Sequence, residues 1–471
     1  MKRELTFLHT NDIHSSFTQE LKLASLLRQK RADLRAQGRP VLVVDGGDHL
    51  DMAVMECLFT NGQLNLDLHD ALGYDAAAVG NNEGLRFSLE RIREMSHATR
   101  VPWLLANVRE SDGSLIGGMR DALLLDASGI QVGLIGITDQ FGTIYEDLMP
   151  LKNVDTITTV QSLAENLRSR GADLIVVLSH AGLPQDIELA QSVTGDIDLI
   201  IGGHSHDALH EPQHHAGIWV VQTGSHARFL GELHLELDLT QPTGQKITRA
   251  TGTLHPIEED MTPDEELNAI YQAAQTQVQQ KMSEVLCVLD NPLEHVELVQ
   301  RIAKAMRTFY QAELGMMFGA VAIEGFPAGP IQVGDIYRNL MSLVNVAHFE
   351  FQGKQLLGLL HERNNPDYYA HPKYGNGIRP KGLPIGKLQF DGLTWTELDG
   401  TISNVQVNGE PLDLDRWYTV GGGEHLGYVE TLLYPSLAGA KILHVDDYYY
   451  VKDAFVEYLR HQKNTSLEVQ T

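Results

Sequence analysis

The polar residues best suited to chemistry lie directly after short apolar runs in the first half of the chain. The runs at residues 5–8, 41–44 and 174–178 are typical of buried β-strands. The polar residues that follow such runs are Asp12, His14, Asp48, Asn81, His180, His204 and His206. Because residues beyond the carboxyl ends of strands in an α/β sheet meet in one crevice, we expect these side chains to converge.

The donor types in this set predict a metal site. Mixed imidazole and carboxylate ligands suit zinc, manganese or iron, and seven donors exceed what one tetrahedral ion needs. The sequence therefore predicts two divalent ions, with Asp48 as the bridging ligand and Asn81 as a neutral oxygen donor. Such a pair lowers the pKa of a shared water, whose hydroxide can attack phosphorus. Each element alone is common in proteins, so the prediction rests on their conjunction.

Composition limits the classes of function. A chain of 471 residues exceeds one hydrophobic core, which predicts two domains. The net charge of −26 disfavours a nucleic-acid partner, whereas metal cations could still hold a small phosphate ester. No apolar run is long enough to span a membrane and no signal-peptide pattern is present, which predicts a cytoplasmic protein without a membrane partner. Cys57 and Cys287 lie among apolar residues and are expected to be unpaired.

Alternating strand and helix patterns must position the polar residues. Helical periodicity covers residues 19–36, 85–98 and 157–170, and a hairpin is predicted at Ser128 and Gly129. The run at 174–178 is apolar on both faces, which is expected where helices cover both sides of a sheet.

A change in character near Thr251 marks the predicted domain boundary. The sequence then becomes polar, and Pro263 with the acids after it predicts a capped helix start. We predict a first domain at 1–255, a helical linker at 256–284 and a second domain at 285–471.

The motifs at the strand ends, including "LTFLHTNDIHS" and "LIIGGHSH", resemble those of the calcineurin-like metallophosphoesterases, and in particular the two-domain 5′-nucleotidases. The resemblance implies an N-terminal four-layer α/β/β/α metallophosphoesterase domain and a C-terminal α/β 5′-nucleotidase-type domain that recognises the substrate. It also implies two divalent ions, whether Mn, Zn, Fe or Mg. One would be bound by Asp12, His14, Asp48 and His206, and the other by Asp48, Asn81, His180 and His204.

The third motif departs from the family pattern. It reads Gly-Asn-Asn-Glu at 80–83, so Asn82 replaces the catalytic His of Gly-Asn-His-Glu, and Leu85 replaces the Asp that orients this His. A subgroup of bacterial nucleotidase-like phosphoesterases is similar in this respect. Asn82 can donate a hydrogen bond to phosphate but cannot deliver a proton, a contribution worth about 10²–10⁴ in rate. His49 or His226 could substitute, and a structural role is the alternative for both.

The second domain also departs from the family. The family's Arg motif is missing at 322–327, and its glycine-rich signature is reduced at 420–428. Arg379, in a glycine-rich loop, could contact a phosphate, and Tyr428 could stack on a base. A solvated loop and core packing are the respective alternatives.

The sequence therefore predicts a two-metal phosphoester hydrolase of the 5′-nucleotidase type. Its substrate would be a small phosphate ester, most plausibly a nucleotide, with a preference for good leaving groups because of Asn82. The alternatives are a catalytically weak metal- and nucleotide-binding module, favoured by the changes at Asn82 and Leu85, and a phosphodiesterase. A nuclease is disfavoured by the net charge.

Overall fold

The structure is a computed structural model that describes residues 2–142, 145–146, 149–374, 378, 380–398 and 400–468. The chain divides into two compact units, Met1–Thr276 and Gln277–Thr471. A helix that could span a membrane is not found in the part of the chain that the structure describes. Cys57 and Cys287 are both free thiols, as expected.

Among its described residues, the first unit contains fourteen strands and seven complete helices, and an eighth helix continues into the second unit. Its strands are β1 (Lys2–Thr10), β2 (Val41–Asp45), β3 (Ala76–Ala78), β4 (Trp103–Leu104), β5 (Val108–Glu110), β6 (Ala122–Asp126), β7 (Gln131–Thr138), β8 (Leu151–Asn153), β9 (Leu174–His180), β10 (Leu199–Ile201), β11 (Gln213–His215), β12 (Ile218–Val221), β13 (Phe229–Asp238) and β14 (Ile247–Pro256). Its helices are α1 (Phe17–Ala36), α2 (Met55–Phe59), α3 (Gln63–Leu72), α4 (Asn81–Arg86), α5 (Leu89–Ala98), α6 (Thr156–Ser169), α7 (Leu183–Ser192) and α8 (Glu265–Met282), the last of which crosses the division between the units.

Two six-stranded sheets form the centre of the first unit. Their strand orders are β14-β13-β1-β2-β3-β4 and β11-β12-β10-β9-β7-β6. Strands β1 to β4 run parallel in the first sheet, and β7, β9, β10 and β12 run parallel in the second. Buried apolar side chains of both sheets form one core, including Phe7 and Val44 of the first and Leu134 and Val176 of the second. The parallel strands of both sheets therefore bring their carboxyl ends to one region.

Helices cover the outer faces of these sheets. Val160 and Leu167 of α6 pack with Ile135 and Val177 of the second sheet, and α1 contacts β2 and β13 of the first. This arrangement confirms the four-layer α/β/β/α prediction. One expectation was wrong: β9 is apolar on both faces because one face meets the other sheet, not because helices cover both sides.

One local prediction also needs correction. The single helix predicted at 85–98 is two helices, because Phe87 turns into the core and the Ser88 side chain caps α5 by accepting a hydrogen bond from the Arg91 amide at 3.2 Å. The change in character near Thr251 falls within β14, which pairs antiparallel with β13 at the edge of its sheet. This strand is polar because many of its side chains are exposed.

The second unit has its own core sheet of five strands, which lie in the order Gln389–Asp391, Leu314–Met317, Trp417–Gly423, Asn345–Gln352 and Lys441–Tyr450. Its described strands are β15 (Val285–Leu289), β16 (Leu314–Met317), β17 (Gly329–Gln332), β18 (Asn345–Gln352), β19 (Pro372–Lys373), β20 (Leu383–Pro384), β21 (Gln389–Asp391), β22 (Leu393–Leu398), β23 (Thr401–Val407), β24 (Glu410–Pro411), β25 (Trp417–Gly423) and β26 (Lys441–Tyr450). Its described helices are α9 (His295–Tyr310), α10 (Val333–Asn339), α11 (Gly353–Glu362), α12 (Pro366–Tyr369), α13 (Val429–Leu432) and α14 (Val451–Glu468).

Close packing of α9 on this sheet explains two of its glycines. A Cβ atom on Gly315 would lie 1.9 Å from the Ala303 carbonyl oxygen, and one on Gly421 would lie 2.3 Å from the Met306 carbonyl oxygen. The glycine-rich segment predicted to be a reduced substrate signature therefore includes a glycine needed for helix packing.

Asp186 gives the first unit a pH-dependent stability. Its carboxylate is buried at the start of α7, where Oδ1 accepts a hydrogen bond from Ser179 and Oδ2 has no hydrogen-bond partner. Burial raises the pKa of Asp186 to about 7. As pH rises from the unfolded pKa of about 4 toward 7, the unfolded chain ionises first, so the folded state loses stability over that window.

We therefore expect the free energy of unfolding of Asp186→Asn to rise relative to that of the wild type as pH increases from about 4 to about 7. The total relative gain should reach up to a few kcal/mol. Urea unfolding followed across this range measures the difference, with Glu188→Gln as the control because Glu188 is exposed on the same helix. A pH-independent difference between Asp186→Asn and the wild type would contradict this account.

Candidate metal centre

All seven residues predicted to be ligands lie at the carboxyl ends of parallel strands. Asp12 and His14 follow β1, Asp48 follows β2, Asn81 follows β3, His180 ends β9, and His204 and His206 follow β10. Segments that follow strands of the first sheet carry Asp12, His14, Asp48 and Asn81. The second sheet contributes His180, His204 and His206.

One group of donors consists of Asp12, His14 and His206. The His206 Nε2 atom lies 3.2 Å from Asp12 Oδ1, and the His14 Nε2 atom lies 3.6 Å from the same oxygen. The two imidazole Nε2 atoms are 3.0 Å apart. Three donor atoms therefore face a volume of the size of one ion.

A second group consists of Asp48, His180 and His204, whose donor atoms lie within 4.8 Å of one another. The His180 Nε2 atom is 3.3 Å from Asp48 Oδ2. Asp48 Oδ2 is also 3.8 Å from the His14 Nε2 atom, so one carboxylate oxygen faces both groups. This geometry suits a carboxylate shared by two cations.

Three donor atoms of the site are buried and make no hydrogen bond of acceptable geometry: Asp12 Oδ1, Asn81 Oδ1 and His180 Nε2. Two of them face other donors of the site, with Asp12 Oδ1 3.2 Å from His206 Nε2 and His180 Nε2 3.3 Å from Asp48 Oδ2. Leaving such atoms unsatisfied costs about 1–3 kcal/mol each. The other polar atoms of the same side chains are bound, because Asp12 Oδ2 accepts from Asn11 and from the His204 amide, and His180 Nδ1 donates to the Gly46 carbonyl oxygen at 2.8 Å. The unsatisfied atoms therefore point into the site, and the donor set fits divalent cations.

The backbone at the site is strained. Asp12, His14, Asp48, His204 and His206 all have positive φ angles, between 50° and 74°. Such conformations cost about 1–3 kcal/mol each and persist only when the surrounding structure imposes them. Hydrogen bonds between loops do so here: the Asp12 amide donates to the Gly47 carbonyl at 2.8 Å, and the His14 amide to the Asp48 carbonyl at 2.9 Å.

Glu83 is a buried residue of the site that sequence reasoning did not assign a role. Its carboxylate accepts hydrogen bonds from the amides of Asp48 at 3.1 Å, Leu50 at 2.9 Å and Gly80 at 2.9 Å. Burial, together with the nearby Asp48, raises the pKa of Glu83 to about 7. Glu83 thus joins the loops after β2 and β3, and its position three residues after Gly80, as in a capping box, was the signal available in the sequence.

Two further carboxylates were missed. Asp51 Oδ2 lies 3.6 Å from His14 Nδ1, and Asp139 Oδ2 lies 3.4 Å from His204 Nε2. Carboxylates beside ligand imidazoles orient the rings and raise their basicity. Nothing in the local sequence marks these two residues, since they contact the site only after the chain folds.

The structure places Asn82 within the site. Its side-chain amide donates to Asp48 Oδ2 at 2.7 Å and lies 3.4 Å from His14 Nδ1, while its backbone amide donates to Asp48 Oδ1 at 2.8 Å. Asn82 therefore holds the shared carboxylate as well as facing the site.

The two histidines considered as substitutes differ in position. His226 is exposed, and its ring stacks on His14 with centroids 5.1 Å apart, so it borders the site. His49 is buried, with Nε2 3.0 Å from Glu20 Oε1 and Nδ1 4.0 Å from Asp45 Oδ2. These carboxylates, opposing the effect of burial, raise the pKa of His49 to about 10. His49 has no face toward a substrate.

The two predicted substrate residues belong to the second unit. Arg379 lies outside the described residues. Tyr428 lies just before α13 and is 36% exposed, and its role as a base-stacking residue stays a prediction.

The two parts of the chain match two known protein families. Residues 5–208 match the calcineurin-like phosphoesterase family, and residues 272–427 match the 5′-nucleotidase C-terminal domain.

Relatives of the full chain share both parts. The chain is 25% identical to the uncharacterized metallophosphoesterase YunD of Bacillus subtilis (strain 168), over 89% of this chain and 92% of the relative. It is also 25% identical to a 5′-nucleotidase of Vibrio cholerae, over 91% and 88%. Its fold is similar to the crystal structure of a 5′-nucleotidase precursor from Thermus thermophilus, with a TM-score of 0.58, 20% identity, and 98% and 97% of the two chains covered. The chain therefore belongs to the family of phosphoric ester hydrolases that join a calcineurin-like phosphoesterase domain to a 5′-nucleotidase C-terminal domain.

Proposed function

We propose that this protein is a two-metal hydrolase of small phosphate esters, with nucleotides as its substrates. One cation would be held by Asp12, His14, Asp48 and His206, and the other by Asp48, Asn81, His180 and His204. The observation that carries the proposal is the set of buried, unsatisfied donor atoms around Asp48. Two divalent cations bound there would activate a water near neutral pH and neutralise charge on the phosphoryl oxygens.

The protein's own groups hold this arrangement in place. The Glu83 carboxylate accepts from the backbone amide of Asp48, the Asn82 side-chain amide donates to the shared carboxylate of Asp48, and the Gly46 carbonyl fixes the His180 ring. These contacts restrict the donors before any substrate binds, which reduces the reorganisation that catalysis requires.

The proposal of a nucleotide substrate rests on the relatives. The V. cholerae relative is named a 5′-nucleotidase, and its similarity extends over 91% of this chain. The second unit would then recognise the part of the substrate other than the phosphate.

We expect metal binding to strengthen as pH rises. In the metal-free protein, neighbouring carboxylates overcome the effect of burial and raise the pKa of His14 and His180 to about 10. Both imidazoles are therefore protonated at neutral pH, and a bound cation must displace these protons. Acidification favours the protonated imidazoles and so weakens metal binding.

Calorimetric titration with Mn²⁺, in buffers of different ionisation enthalpy, measures both affinity and proton release. As a control for histidines outside the site, His97→Gln should give the same affinity and proton release as the wild type, because His97 is exposed on α5. Equal affinity at about pH 6 and about pH 8, without proton release, would be inconsistent with this donor set.

Replacing the shared carboxylate tests the catalytic role. Asp48→Asn should lower phosphatase turnover by at least about 100-fold, since the amide holds two cations less well. Asp67→Asn, an exposed change on α3, should leave turnover unchanged. Metal content measured on the same samples shows whether ions are lost, and wild-type turnover by Asp48→Asn would overturn the assignment.

The leaving group tests the role of Asn82. Because the Asn82 side chain cannot deliver a proton to the leaving group, aryl phosphates should be hydrolysed faster than alkyl phosphates. Asn82→His should narrow the gap, that is, lower the ratio of the aryl rate to the alkyl rate. His226→Gln should widen the gap if the His226 imidazole assists the leaving group. Equal rates for aryl and alkyl esters in the wild type would refute the proposed consequence of the substitution.

A catalytically weak metal- and nucleotide-binding module is the second candidate. It is favoured by Asn82, whose side chain cannot deliver a proton and which binds Asp48 directly. Nucleotide binding without turnover of any ester, including phosphodiesters, in the Mn²⁺-loaded protein would support the module over the enzyme.

A further inference from the structure

A second group of metal-binding side chains lies inside the first unit, behind the loop that carries Asp48. Asp45, His49 and His69 each offer a donor atom, and these atoms lie within 4.8 Å of one another. Asp45 ends β2, His49 follows it in the loop, and His69 belongs to α3. We call Asp45, His49 and His69, with Glu20 beside them, the inner cluster.

The inner cluster borders a small internal cavity. The cavity has a volume of ≈ 10 Å³, and its lining includes Asp45, His49, His69 and Glu83. All of its lining residues are buried. A volume of this size accommodates about one water molecule or one ion.

The side chains of the inner cluster are isolated from solvent. Glu20 and Asp45 are fully buried, and His49 and His69 are each 3% exposed. The Nε2 atom of His69 and the Oε2 atom of Glu20 have no hydrogen-bond partner. Buried polar atoms are nearly always satisfied, so these atoms indicate a ligand that the protein chain itself does not provide.

Two carboxylates orient the donors. Glu20 Oε1 lies 3.0 Å from His49 Nε2, on one side of the ring, and Asp45 Oδ2 lies 4.0 Å from His49 Nδ1, on the other. Asp45 is held by the Gly47 amide and the Thr10 hydroxyl. In protein metal sites, the histidine nitrogen that does not bind the metal usually donates its proton to a carboxylate, a backbone carbonyl or water.

Two carboxylates and two imidazoles lie together in the inner cluster. Among the ion pairs of the described residues, Glu20 and Asp45 pair only with His49. A divalent cation bound by Asp45, His49 and His69 would add positive charge beside both buried carboxylates.

We propose that Asp45, His49 and His69 bind one divalent transition-metal ion, with Glu20 as the carboxylate that orients His49. Two imidazoles and one carboxylate suit Zn²⁺, Mn²⁺ or Fe²⁺. The ion has no access to substrate, so its role is structural: it joins β2, the following loop and α3. Because Asp45 and Asp48 lie in the same turn, the inner ion also stabilises the loop that carries the shared carboxylate.

Anomalous diffraction from crystals of the full chain grown with Zn²⁺ tests the proposal directly. The expected result is an anomalous peak bounded by Asp45, His49 and His69, separate from any peaks near Asp48. Density without an anomalous signal in the cavity, as from a water, would overturn the proposal.

Variants separate this site from the one proposed for catalysis. His69→Gln should lose one ion per chain after exhaustive dialysis, while His97→Gln, an exposed histidine of the same unit, should keep the wild-type content. Full ion content in His69→Gln would contradict the assignment.

Asp12→Asn provides the reciprocal variant, and it keeps the test decisive if His69→Gln does not fold. It should weaken only the outer site and leave the anomalous peak in the inner cavity. Loss of the inner peak in a folded Asp12→Asn protein would contradict an independent inner site. Absence of the outer peaks alone would count against the proposed function and not against the inner ion.

Discussion

Two buried carboxylates, Asp12 and Asp48, share one small volume with buried imidazoles, and this concentration of charge is the constraint on which the site depends. Oxygens of both lie within 4 Å of the His14 and His180 Nε2 atoms. Like charges repel strongly in a buried environment, so protons on the imidazoles or bound cations must neutralise them. The family to which the chain belongs uses divalent metals, which supports cations as the functional solution.

The four-layer fold makes this concentration of charge possible. Parallel strands from two sheets end in one region, so residues distant in sequence meet there. The loops cannot relax separately, because backbone hydrogen bonds and the Glu83 carboxylate join them. Five donor residues have positive φ angles, which are energetically unfavourable for residues other than glycine. These conformations persist because the surrounding contacts hold the side chains in the site.

Much of this arrangement could be predicted from sequence, for a physical reason. Strand ends are marked locally by an apolar run followed by a polar residue, so Asp48 and His180 could be placed at the sheet edge from their neighbours alone. Asp139 and His69 could not, because helix and loop packing decides what they contact. The break at Ser88 was missed for a similar reason, since the burial of Phe87 overrides a continuous helical pattern.

The most direct test of the central claim is electron paramagnetic resonance of the Mn²⁺-saturated protein. Two ions sharing Asp48, about 3.5–4 Å apart, would give a spin-coupled spectrum that Asp48→Asn abolishes. A spectrum of isolated Mn²⁺ ions at saturation, unchanged by Asp48→Asn, would contradict a dinuclear centre at these strand ends.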